Sequence, residues 1–94
     1  MLEKDIEAAV GRYARSVGML NYKFTSPNRS FVPDRIFIAK GGRILFVEFM
    51  APGKKPTVMQ AREHERLREQ GCTVYVIDSV EAGRSMIDEH SRCI

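Results

Sequence analysis

VPDRIFIAKGGRILFVEFM, residues 32–50, reads as a β-hairpin with an acid near each end. Two runs rich in β-branched and aromatic residues, 34–39 and 43–49, flank Lys40-Gly41-Gly42, and the glycines supply the positive φ that a tight hairpin needs. Pro33 has no N–H to give to a ladder, so the first strand starts beyond it. Register then carries the chemistry. A two-residue Gly41-Gly42 turn sets Asp34 opposite Phe49, whereas a three-residue Lys40-Gly41-Gly42 loop sets it opposite Glu48, and the second is expected. Alternate residues of a strand share a face, so Asp34, Glu48 and Met50 then meet at one site.

A buried carboxylate is expensive unless it is paired, hydrogen-bonded or bound to metal, and two side by side also repel. Two arrangements relieve the pair. Arg35, Arg43 or another basic side chain can neutralise each acid at the sheet edge. Alternatively a hard divalent cation sits between them, since Mg²⁺ and Mn²⁺ favour oxygen from one or two carboxylates together with water and phosphate.

Outward from the hairpin, residues 2–17 place Leu2, Ile6, Ala9, Val10, Tyr13 and Val17 on one helical face, ended by Gly18. Glu3 and Glu7 are four apart on that helix and lie together on one side of it. LNYKFT, 20–25, alternates Leu20, Tyr22 and Phe24 with polar residues and reads as a half-buried strand. SPNRSFVP and APGKKP are loops. Thr57 is the expected N-cap of a helix over 58–70 that ends at Gly71; its weak apolar stripe and many charges read as a solvated surface helix. A buried strand, 72–77, and a helix over 80–90 capped by Asp78 or Ser79 complete the chain. The order α-β-β-β-α-β-α predicts an α/β fold, a mixed sheet with helices on both faces.

The 94 residues suit one compact domain, 1–94, and 44% hydrophobic with 29% charged residues is ordinary for a globular protein. No apolar run approaches the length of a membrane span, and the N-terminus lacks the pattern of a signal peptide, so a cytoplasmic location is expected. Cys72 and Cys93 lack metal-ligand spacing and read as reduced thiols. His64 and His90 have no partners at ligand spacing and read as surface residues of charged helices. No glycine-rich phosphate loop and no Ser-His-Asp set is present. Fifteen Lys+Arg against 12 Asp+Glu permit a polyanionic partner. Arg29, Arg35, Lys54 and Lys55 are close in sequence to the two acids and suit a phosphate-bearing ligand.

Pro33-Asp34, followed after a glycine hairpin by Glu48-Phe49-Met50, resembles the signature of the PD-(D/E)XK nucleases. EKDIE, YKFTSPNRSFVPDRI, VEFMAPGKKPT, QAREHERL and VYVIDS, in that order, are similar to the VRR-NUC domain of that superfamily in its stand-alone viral or bacterial form. The resemblance implies a restriction-endonuclease-like core and a Mg²⁺- or Mn²⁺-dependent endodeoxyribonuclease. Asp34, Glu48 and the Phe49 main-chain carbonyl would be metal ligands, with Glu3, or alternatively Glu7, as the acid from the first helix. Gln60 would orient water or phosphate. The resemblance further implies a homodimer that resolves branched DNA, above all four-way (Holliday) junctions. Phe31 and Val32, or Met86 and Ile87, are candidate dimer contacts.

Met50 departs from the pattern, which has lysine there. Methionine keeps the length and removes the charge that steadies the attacking water and the phosphate. An impaired or inactive enzyme is therefore expected, unless a neighbour such as Lys54 or Lys55 takes over. The alternative is a catalytically silent DNA-binding module on the same fold.

Overall fold

In the computed structural model, which describes residues 1–91, the chain folds as α1 (Glu3–Ser16), β1 (Leu20–Lys23), β2 (Arg35–Ala39), β3 (Arg43–Phe49), α2 (Val58–Glu69), β4 (Thr73–Ile77) and α3 (Val80–Ser91). The expected order of elements is present throughout. The strands form one sheet in the order β1-β2-β3-β4, antiparallel across the first three and parallel between β3 and β4. Among the described residues no helix is long and apolar enough to cross a membrane.

The β2–β3 turn is a single 3₁₀ turn over Lys40–Gly42, with Gly41 at φ 85° and Gly42 at φ 79°. Ala39 pairs with Arg43 and Arg35 with Val47, so the loop has three residues and the register continues to set Asp34 across from Glu48. The parallel β4 is reached through α2, the usual way to return a chain for parallel pairing.

One face of the sheet carries Phe37, Ala39, Leu45, Val47, Phe49 and Ile77, all buried under Ile6, Val10 and Ala14 of α1 and Met86 and Ile87 of α3. Met86 and Ile87 thus belong to the core, which removes them as dimer contacts. The two helices approach closely at Gly83: a Cβ there would lie 2.4 Å from Val10 Cγ2. Tyr13 Oη donates to Asp88, and Arg84 stacks 4.4 Å over the Tyr13 ring.

The opposite face is covered only in part. In β1 the apolar side faces away from α1, leaving Leu20 52% and Tyr22 55% exposed, while Asn21 turns inward. The expected half-buried alternation of β1 is inverted because α1 and α3 claim the other side of the sheet. Ile44 is also exposed there, and α2 shields only the β3–β4 end.

Thr57 caps α2 as expected, with Gln60 N–H donating to its Oγ1 and Gln60 Oε1 accepting from Thr57 N–H. The helix is not simply solvated: Glu63 and His64 are buried. His64 is 1% exposed, which corrects its reading as a surface residue. Its face of the helix packs over Glu48, so a polar stripe, not an apolar one, points inward. His90 is half-buried, its Nε2 2.7 Å from Tyr75 Oη. Ser79 Oγ caps α3 by accepting from Ala82 N–H at 3.0 Å. Cys72 is a half-buried free thiol, and Cys93 lies outside the described residues.

Candidate active site

Asp34 stands at the entrance to β2 and Glu48 at the penultimate position of β3, so the hairpin register itself brings the two acids together. Asp34 is half-buried, and its Oδ2 accepts from the Phe49 N–H at 2.9 Å. Glu48 is 4% exposed. Its Oε2 accepts from Gln60 Nε2 at 3.4 Å, while Oε1 has no hydrogen-bond partner among the described residues and faces His64 Nε2 at 3.6 Å.

Among the described residues, the arginines expected to pair with the two acids are engaged elsewhere. Arg35, the nearest candidate in sequence, pairs with Glu7 at 2.5 Å, and Arg43 lies against His90. Arg29 pairs with Glu63 at 2.9 Å. Among the described residues no salt bridge from Lys or Arg reaches Asp34 or Glu48. Arg35 and Arg43 are therefore not the partners of the two acids; the basic groups that face them are His64, 3.6 Å from Glu48, and Lys23, whose charge acts on Asp34.

The electrostatic result is a strained pair. Burial, followed by the charge of Asp34 and the carboxyl contact with it, pushes Glu48 up to about 8. Burial likewise raises Asp34, opposed by the Phe49 N–H and by the Lys23 ammonium. Glu3 is raised by partial loss of water and by the charges of Asp34 and Glu7, which places it at the margin of the same cluster. His64 is lowered by burial and by the charge of Arg68. Two adjacent acids that resist ionisation, one with an unpartnered buried oxygen, form a donor set that suits a hard cation.

Among the described residues no three His, Cys, Asp or Glu side chains already converge as a cage. Such a cage is not required by Mg²⁺, which keeps several waters and takes one or two carboxylates. Asp34 and Glu48 match that smaller set. Glu3 is exposed and peripheral, and Glu7 is occupied by Arg35.

Met50 follows β3 immediately, half-buried, with its N–H donating to the Ile77 carbonyl at 2.9 Å. The strand alternation puts its side chain on the Glu48 side. Lys54 and Lys55 are exposed in the loop between β3 and α2. Two residues near the acids were not legible as site residues. Lys23, the last residue of β1, acts on Asp34 through its charge. His64 is one helical turn beyond Gln60 and shares its face, a spacing that could have flagged it.

No family model matches the chain. Over 77 residues it is 48% identical to "Putative nuclease p44" of Acyrthosiphon pisum secondary endosymbiont phage 1, covering 82% of this chain and 83% of that relative. Among solved structures, it is similar to one described as "VRR_NUC domain", with a TM-score of 0.84 and 31% identity over 94% of this chain and 96% of the other. A "VRR_NUC domain protein" superposes with a TM-score of 0.75 over 96% and 88% of the two chains; at 14% identity that likeness concerns the fold alone.

Proposed function

The chain belongs to the VRR-NUC domain family, and on that premise we propose that it is a Mg²⁺- or Mn²⁺-dependent, structure-specific DNA endonuclease acting on branched DNA, four-way junctions foremost. The observation that carries this reading is the pairing of half-buried Asp34 with buried Glu48, which no lysine or arginine among the described residues reaches in a salt bridge. Asp34, Glu48 and the Phe49 carbonyl would hold the cation, with Glu3 reaching it from α1. When bound, such a cation supplies a water of lowered pKa and a Lewis acid for the phosphodiester.

The chain's own groups do the rest. Gln60, fixed by its reciprocal cap with Thr57, holds one oxygen of Glu48 and presents an amide near the site. Asp34 is oriented by the Phe49 N–H, so its second oxygen is the one left for a ligand. Lys54 and Lys55 are the exposed cations for flanking phosphates, and Arg29 and Arg35 contribute while tied to Glu63 and Glu7. With one small domain there is little surface for reading bases, so DNA shape is the more suitable cue.

A homodimer would suit a junction, because two sites about a two-fold axis give paired symmetric cuts. Of the candidate dimer contacts, Phe31 is exposed and Val32 half-buried. Met50 provides no charge for the developing phosphate anion, and loss of one such preorganised group costs about 10²-fold or more in rate. The reading is thus an impaired enzyme. Met50 also favours the second reading, a DNA-binding module without catalysis.

Cleavage of a labelled four-way junction in Mg²⁺ and Mn²⁺ separates the two, with a linear duplex as control. The chain is compared with Met50→Lys and with Met50→Lys carrying Asp34→Asn. The nuclease reading expects cutting by Met50→Lys that is abolished by Asp34→Asn. Binding to the junction without cutting by any folded form would leave the binding module in its place.

A further inference from the structure

We propose that His64 is a positioning residue for Glu48: its Nε2–H holds Oε1 of the ionised carboxylate, so that the acid is braced by two donors from one helix. This rests on the reading of Asp34 and Glu48 as a cation site.

Glu48 Oε1 and His64 Nε2 are both buried, both without a hydrogen-bond partner among the described residues, and 3.6 Å apart. An unpartnered buried polar atom is costly, and two facing one another identify each other as partners. An N–H···O bond closes at about 2.9–3.0 Å, so a small movement of either side chain makes it. A histidine kept only for packing would bond elsewhere or give way to an apolar residue.

The helix is built to deliver this contact. Gln60 and His64 are four apart and share a face, and Gln60 Nε2 already donates to Glu48 Oε2 at 3.4 Å. The N-terminal end of α2 is fixed by the Thr57–Gln60 cap, and its C-terminal half is tied to β4 by Arg68 Nη2 donating to the Val74 carbonyl at 2.9 Å. His64 lies between these anchors. A neutral imidazole carries one N–H, and the tautomer with that proton on Nε2 directs it at Oε1. Ligating carboxylates elsewhere depend on such outer donors, whose removal weakens metal binding about 10- to 100-fold.

Mn²⁺ binding by calorimetry tests this on the intact chain, His64→Leu, His64→Gln and His64→Asn, with melting in EDTA recorded for each. Glutamine keeps an N–H near the position of the imidazole Nε2; leucine has none, and the asparagine amide is too short to reach. The expected result is a Mn²⁺ dissociation constant raised about 10- to 100-fold in His64→Leu and His64→Asn, and nearly unchanged in His64→Gln. If His64→Leu does not fold, the contrast between glutamine and asparagine decides alone. Altered melting with unchanged Mn²⁺ affinity in all variants would make His64 a packing residue and overturn the inference while the site stands. Equal weakening in His64→Gln would overturn it too, since the donor is retained. Absence of Mn²⁺ binding by the unmodified chain would remove the site itself, and the inference with it.

Discussion

Glu48→Gln should remove most of the pH dependence of folding stability in the absence of metal. The folded protein holds Glu48 up to about 8, from an ordinary value of 4.5. A raised acid favours its protonated form in the fold, so the stabilisation is complete below pH about 4.5 and is lost as pH rises through about 8. Every tenfold difference in proton affinity between the folded and unfolded chain is worth about 1.36 kcal/mol, which gives a loss on the order of 3–5 kcal/mol across that window. For a domain of this size about 1 kcal/mol moves the melting temperature by about 4–8 °C, so a fall of more than about 10 °C is expected between pH 5 and pH 8.5 in EDTA. Asp34 and Glu3 are also raised and act in the same direction. His64 is lowered and acts in the opposite one: its contribution is present above pH about 6.5 and lost as pH falls. Circular dichroism melts of parent and Glu48→Gln across this range isolate the Glu48 share. Saturating Mn²⁺ should cancel the alkaline loss in the parent only, because a ligand of the folded state stabilises by mass action. Superimposable pH profiles for parent and variant in EDTA would show that Glu48 is not the group that carries the pH dependence.

Three further outcomes follow from particular residues. Met50→Lys should raise junction cleavage by about 10²-fold or more in gel assays with Mg²⁺, at little change in melting temperature because Met50 is only half-buried. Gly83→Ala should destabilise by about 1–3 kcal/mol in denaturant titrations, since its Cβ would stand 2.4 Å from Val10 Cγ2 and force α1 and α3 apart. Replacing Lys54 and Lys55 together by alanine should weaken binding of any DNA and reduce the slope of log affinity against log salt by about 2, read by fluorescence anisotropy at several ionic strengths.

The hairpin was legible because its information is local. Two glycines fix a turn, strand alternation fixes faces, and together they fix Asp34 against Glu48 without reference to the rest of the chain. Thr57 was legible for the same reason, as a cap; Gln60 was singled out only through the family resemblance, and its reciprocal bond to Thr57 is a finding of the structure. What failed depended on which elements cover which face. Leu20 and Tyr22 alternate like core residues yet stay exposed, because α1 and α3 both pack on the other side of the sheet. Met86 and Ile87 could have been core or interface on periodicity alone, and the position of α3 made them core. His64 was obscured by the charges around it. Helix α2 buries a polar face over a polar site, so the hydrophobic pattern that usually marks the inner side of a helix is missing there. Arg35 lies next to Asp34 in sequence, yet strand alternation sends its side chain to Glu7 of α1.

Asp34 and Glu48 should take up a divalent cation, and electron paramagnetic resonance of Mn²⁺ titrated into the metal-free protein reads that uptake directly. Saturable loss of the free Mn²⁺ signal is expected with the unmodified chain, Met50 included, and none with Asp34→Asn carrying Glu48→Gln. A free-ion signal that grows identically with the folded parent and the double variant would contradict the assignment of Asp34 and Glu48 as a cation site.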